Sequence, residues 1–208
     1  MKRAIIFLWV AILTVFHAET VFSLEYALHP NNKSKTLTAI LATGAVEEND
    51  VERLSSFLHK LTLKKRIAVY LASPGGNLYE GMRLGLFFRQ HRIKTVIEGG
   101  YDCASACALA FLGGTDNAGK PWRSSSTNSR LGFHAFRGIS EQAIDSDELQ
   151  STVADILRYG TTVNAPIELL IASFSTPSKD IFWVSQTDIC ALGIKLWSTE
   201  TDRFVCNN

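Results

Sequence analysis

Five consecutive apolar residues, Ile67 to Leu71 (IAVYL), run into Ser73-Pro74-Gly75-Gly76, and that junction limits the architectures open to this chain. A strand that is apolar at every position buries both faces, as an inner strand of a parallel sheet flanked by helices does, whereas a half-wet antiparallel strand alternates. Pro-Gly-Gly then stops the strand, because proline donates no ladder hydrogen bond and the glycines admit a tight turn. The same alternation recurs on either side. Leu37 to Thr43 reads as a strand closed by Gly44, followed by a helix with Asn49 or Asp50 as cap and Val51, Leu54, Leu58 and Leu61 at three- and four-residue steps. Leu78 to Gln90 is predicted helical, burying Leu84, Phe87 and Phe88. Thr95 to Ile97 ends a further strand, Gly99 and Gly100 allow a sharp reversal, and Cys103 to Leu112 has helical composition with Ser105 in its first turn. Successive strand–helix units predict an α/β fold with a mostly parallel sheet and right-handed crossovers.

The second half reads as more helical. Thr115 to Ser129 is predicted to be a polar surface loop, and Arg130 to Phe136 (RLGFHAF) a short strand. Ser146 can cap a helix whose Leu149, Val153, Ile156 and Leu157 share a face, ended by Gly160. Pro166 opens another helix, Ser185 to Asp188 fits a capping box, and Gly193 precedes a last strand at Ile194 to Ser198.

The first 23 residues have the form of a secretory leader. Lys2 and Arg3 precede an apolar segment from Ile5 to Phe16, and Val21-Phe22-Ser23 offers a cleavage site after Ser23, with Ala18 as the alternative. Twelve apolar residues fall short of the roughly 20 that a spanning helix needs. Residues 24 to 208 then form one α/β domain in a periplasmic or secreted protein. A net charge of +1, with no basic cluster beyond Lys64-Lys65-Arg66, argues against a nucleic-acid partner.

Export into an oxidising compartment makes the four cysteines disulfide candidates. Sequence proximity favours Cys103 with Cys107 and Cys190 with Cys206. The first pair carries a geometric difficulty if both residues are helical: Cβ atoms at i and i+4 lie about 5–6 Å apart, whereas a disulfide wants roughly 3.5–4.5 Å. Neither pair has redox or zinc spacing, so neither metal nor cofactor is expected.

Three features can carry chemistry. The Ser105 hydroxyl sits where unpaired N–H groups and the positive end of a helix dipole favour developing negative charge. His134 can accept the serine proton as a neutral imidazole. The Gly75-Gly76 turn can bring main-chain N–H groups against a substrate carbonyl, forming an oxyanion hole with the N–H of Ala106.

The order of these features resembles the Clp protease proteolytic subunit and the wider Clp/crotonase superfamily. There a strand ends in an SPGG turn, the nucleophile lies in a segment like GxAASMGA, and the histidine closes one like SRxMIHQP. The matching stretches here are Ser73-Pro74-Gly75-Gly76, Cys103-Ala104-Ser105-Ala106-Cys107-Ala108 and Ser129-Arg130-Leu131-Gly132-Phe133-His134. The resemblance spans Leu37 to Ile194 and looks closest to the exported, periplasmic Clp-like branch. It implies a spiral of repeated β-β-α and βα units, Ser105 as nucleophile, His134 as general base, and oxyanion N–H groups from Gly76 and Ala106. It makes Asp180, before IFWVSQTDICALGI, the orienting carboxylate, with Asp145, Asp147 and Asp188 as stand-ins and a carboxylate-free Ser–His pair as the alternative. The segment after Asp180 is one residue longer than the family's, Ala135-Phe136 replaces Gln-Pro after the histidine, and Ala106 replaces the methionine after the serine. The implied activity is ATP-independent hydrolysis of peptides or unfolded proteins by a homo-oligomer, with no ATPase partner and no cofactor. Alternatives are an inactive binding or scaffold protein, a crotonase-type acyl-binding enzyme, and a variant with Cys103 or Cys107 as nucleophile.

Overall fold

The computed structural model describes residues 23–61, 66–136 and 145–206. The predicted leader through Phe22, together with Lys64 and Lys65, lies outside the described residues; Ser23 bridges to Ala45. The first half runs β1 (Glu25–Leu28), β2 (Leu37–Thr43), α1 (Asp50–His59), β3 (Arg66–Ala72), α2 (Leu78–Gln90), β4 (Ile93–Ile97), β5 (Asp102–Ala104) and α3 (Ala106–Leu112). It continues β6 (Arg123–Ser126), β7 (Arg130–Phe133), α4 (Ser146–Val163), α5 (Ile167–Ser175), β8 (Phe182–Trp183), α6 (Gln186–Ala191), β9 (Lys195–Ser198) and β10 (Arg203–Cys206).

The architecture is α/β. Seven strands form one sheet in the order β1-β2-β3-β4-β6-β9-β10, parallel throughout its interior, with antiparallel β1 and β10 at the edges. A small sheet, β5-β7-β8, is joined to it where Ser73, just past β3, bridges Cys103. Helix α2 packs against α1, α3 and α4. Val69 and Leu71 of β3, Leu54 of α1, Leu84 and Phe88 of α2 and Phe111 of α3 are almost wholly buried in a common core, while Phe87 is half-buried and stacks on His91 at 4.1 Å.

Several expectations change. The segment from Thr115 to Ser129 is not all surface loop: Arg123 to Ser126 forms β6, buried between β4 and β9. Much of its polarity is met internally, since the Arg123 guanidinium donates to the carbonyls of Asn164 and Val163 at the end of α4 and Ser125 pairs with Ser129 at 2.8 Å, while the buried Arg123 Nε has no hydrogen-bond partner among the described residues. Cys103 and Ala104 belong to β5, and α3 begins only at Ala106. Helix α4 continues past Gly160 to Val163 and is rotated from the expected face: Thr152, Ile156, Tyr159 and Val163 are buried, whereas Leu149 is 44% exposed. Asn49 caps α1 with a left-handed backbone and no side-chain bond, while the Asp50 carboxylate accepts from the Glu47 N–H at 2.7 Å. The last strand is β10 rather than β9.

Both cysteine pairs are bonded. Cys190–Cys206 ties α6 to β10, and Cys103–Cys107 spans the β5–α3 junction with Cα atoms 5.3 Å apart. The helical i, i+4 difficulty disappears because Cys103 lies on a strand. With both sulfurs in the bond, neither Cys103 nor Cys107 offers a thiolate, which removes the cysteine-nucleophile alternative.

Candidate functional site

Ser105 occupies the turn between β5 and α3 as the helix N-cap, at φ 57° and ψ −126°. That conformation costs an L-residue energy because its Cβ crowds the backbone, and it persists only where the surroundings impose it. Three fixtures do so here. The Ser105 N–H donates to the Gly132 carbonyl of β7 at 3.0 Å, its carbonyl accepts from Leu109 at 3.1 Å, and the flanking Cys103–Cys107 disulfide closes the loop around it. The neighbours Ala104 and Ala106 are buried, and Ser105 is half-exposed.

The Ser73–Gly76 turn lies against this junction. Ser73 exchanges hydrogen bonds with β5, donating to Asp102 and accepting from Ala104, and its hydroxyl accepts from the Gly75 N–H at 3.1 Å. Gly75 has φ +100°, and a Cβ there would stand 2.6 Å from both the Ala104 carbonyl oxygen and the Ser105 Cβ. Gly76, at φ +145°, lies so close to Val46 that a Cβ would meet its carbonyl oxygen at 2.2 Å. Only glycine fits either place. The Gly75 carbonyl accepts from Val46 at 2.8 Å and the Asn77 N–H donates to Val46 at 2.7 Å. Strand alternation therefore turns the Gly76 N–H away from Val46. The Ala106 N–H is the first of α3 and has no carbonyl four residues behind it inside the helix. Neither N–H has a hydrogen-bond acceptor among the described residues.

His134 follows β7. Its backbone neighbour Ala135 donates to the Thr176 carbonyl past α5 at 2.8 Å, which ties the segment down. The His134 Nδ1 lies 2.8 Å from the Ala135 carbonyl oxygen. A carbonyl only accepts, so Nδ1 is the donor in this bond, and in the neutral imidazole the lone pair is then on Nε2. Ser105, His134, Gly76 and Ala106 all line one cavity of about 420 Å³. Its walls are apolar at Leu109, Phe133 and Ile156. No hydrogen bond joins the Ser105 hydroxyl to the His134 ring among the described residues.

The aspartates fall elsewhere. Asp180 lies two residues before β8, whose Phe182 pairs with Phe133, so its segment runs beside the one carrying His134. Its side chain is exposed, does not line the cavity, and makes no hydrogen bond or ion pair among the described residues. Asp145 is the N-cap residue of α4, Asp147 lies in that helix's first turn, and Asp188 pairs with the Ser185 hydroxyl at 2.6 Å. None of the three lines the cavity.

Sequence reasoning missed Glu148, Thr152 and Tyr79 among the cavity's lining residues. The signal for the first two was the four-residue step Glu148, Thr152, Ile156, masked by the stronger apolar series through Leu149 and Leu157. Behind the glycine turn, buried Glu80 accepts from the Val51 N–H at 2.9 Å and pairs with Arg83 at 2.6 Å. Fully buried Asp50 holds Glu47, next to Val46, and burial pushes its carboxyl above the usual range. Among the described residues, no group of three or more His, Cys, Asp or Glu is placed to hold a metal ion, and no helix is long and apolar enough to cross a membrane.

No protein-family model and no curated protein matches the chain.

Proposed function

We propose that the protein is a serine hydrolase that cleaves peptide bonds through an acyl-enzyme on Ser105. The observation that carries this reading is the shared cavity, lined by a serine in a strained strand–helix turn, an imidazole, and Gly76 and Ala106, whose N–H groups have no acceptor among the described residues. The Ser105 oxygen attacks the carbonyl carbon while its proton passes to the His134 Nε2. The resulting oxyanion is held by the N–H groups of Gly76 and Ala106, which exist before the charge forms and need no rearrangement to meet it. His134 returns the proton to the departing amine, an ester remains on Ser105, and water activated by the same imidazole releases the acid. The Ala135 carbonyl holds the productive tautomer, so the unit works as a Ser–His pair. Asp180 joins it only if its carboxylate takes over Nδ1.

The finer fold reading is the Clp/crotonase spiral, supported by the small sheet that branches from the end of β3 at Ser73 and Cys103. The two disulfides fit an oxidising compartment and, together with the leader-like sequence of the first 23 residues, support export and ATP-independent action. Apolar side chains left exposed on α4 and α5, including Leu149, Leu157, Ile167 and Ile171, support a homo-oligomer.

Incubation with a fluorophosphonate probe, read by intact mass and peptide mapping, tests the reading. One adduct on Ser105, lost in Ser105→Ala and strongly reduced in His134→Ala, is the expected result; an unlabelled parent protein refutes it. The missing hydrogen bond between Ser105 and His134 favours a second reading, a peptide-binding relative without turnover. That reading expects no adduct and equal peptide affinity in parent and Ser105→Ala.

A further inference from the structure

The cavity has one wall with a chemical gradient. Glu148, Thr152 and Ile156 sit four residues apart on α4 and all line it. Ile156 is 2% exposed and Thr152 6%, whereas Glu148 is exposed at the end of the series. Each four-residue step rises about 6 Å, so the wall climbs about 12 Å from buried hydrocarbon to an exposed carboxylate. Leu109 and Phe133 continue the apolar part. Thr152 turns its hydroxyl back onto its own helix, donating to the Glu148 carbonyl at 2.9 Å, with the Tyr79 hydroxyl 3.4 Å away.

Glu148 is the only carboxylate among the described lining residues, and no cation pairs with it there. Its neighbour Asp155 is engaged by Arg158 at 2.5 Å and does not line the cavity. An apolar wall ending in a negative charge that no described cation engages complements a side chain with a hydrocarbon stem and a cationic tip. Lysine and arginine have that form. An acidic side chain in the same place would meet like charge, so discrimination arises from repulsion as well as attraction.

We propose that Glu148 is a specificity-determining residue, making the Ser105 cavity select substrates that carry a lysine or arginine side chain next to the cleaved bond. This rests on the hydrolase reading. The cationic tip pairs with Glu148 while the stem lies along Thr152.

The test uses two diphenyl phosphonate esters, one with a lysine-like and one with a norleucine-like side chain, and follows second-order modification of Ser105 by intact mass. In the parent protein the lysine-like probe reacts roughly tenfold faster, the worth of one charge-assisted hydrogen bond. Glu148→Gln brings the ratio close to one, a change in selectivity that general damage to the fold, slowing both probes alike, would not give. Glu148→Lys reverses the preference, and raised salt shrinks the parent's ratio. Equal rates in the parent, or a lysine preference unchanged in Glu148→Gln, overturn the assignment of Glu148 while leaving the hydrolase reading intact. If neither these esters nor a simple fluorophosphonate modifies Ser105, the hydrolase reading falls and this inference falls with it.

Discussion

Replacing Ser105 by glycine separates the cost of its conformation from the use of its hydroxyl. The residue sits at φ 57° and ψ −126°, a region that glycine enters freely and other L-residues enter at about 1–3 kcal/mol. Its hydroxyl makes no hydrogen bond among the described residues, so Ser105→Ala keeps the strain, removes no internal bond and serves as the reference. Glycine relieves about 2 kcal/mol of strain, gives back about 0.7 kcal/mol in unfolded-chain entropy, and loses about 0.4 kcal/mol for a half-buried Cβ. The balance is about 1 kcal/mol in favour of glycine. For a domain of this size that corresponds to a melting temperature about 2–4 °C above that of Ser105→Ala. Thermal and urea unfolding of both variants measure it, and neither variant takes up the fluorophosphonate. If Ser105→Gly unfolds at or below the temperature of Ser105→Ala, the turn at Ser105 stores no strain.

Gly75→Ala should destabilise the protein by more than about 2 kcal/mol and abolish Ser105 labelling, because the new Cβ meets Ala104 and Ser105 and φ +100° is unfavourable; a stable, labelled variant contradicts this. Removing Cys190 and Cys206 together should cost about 3 kcal/mol, given their separation of 16 residues, and lower the melting temperature by about 6–12 °C; a loss under about 1 kcal/mol would show that β10 holds without the bond. Burial raises the Asp50 carboxyl, so its contribution to stability is fully present below the unfolded-state value and is lost as pH rises through the folded one. Urea midpoints should therefore shift in the parent's favour relative to Asp50→Asn as pH falls across the carboxylate range, whereas parallel profiles contradict that sign.

Much of the fold was legible because its elements are punctuated. Gly44 closes β2 and the Pro-Gly-Gly turn follows β3, and the predicted bounds of β2 and α2 coincide with those in the structure. Strand β6 was not legible: Arg-Ser-Ser-Ser has the composition of a loop, and most of its buried groups find partners far off in sequence, on β4, on β9 and at Val163, 40 residues from Arg123. The start of α3 was misplaced because a local pattern cannot reveal that β5 pairs with β7 and forces the turn at Ser105. The convergence of Ser105, His134, Gly76 and Ala106 followed from motif order, each motif lying at the end of a strand that the two sheets bring to one cavity. The third member of the site did not follow, since a carboxylate's partner depends on loop geometry, and here the Ala135 carbonyl occupies Nδ1 of His134. Nor did the wall carrying Glu148, which required the rotation of α4 set by burial of Thr152 and Tyr159.

A crystal structure of the phosphonate adduct on Ser105 measures the convergence itself. The phosphoryl oxygen is expected at about 2.7–3.1 Å from the main-chain nitrogens of both Gly76 and Ala106, with the His134 Nε2 turned toward the Ser105 oxygen. An adduct whose oxygen faces solvent, or whose imidazole points out of the cavity, contradicts the assignment of these four residues to one catalytic unit.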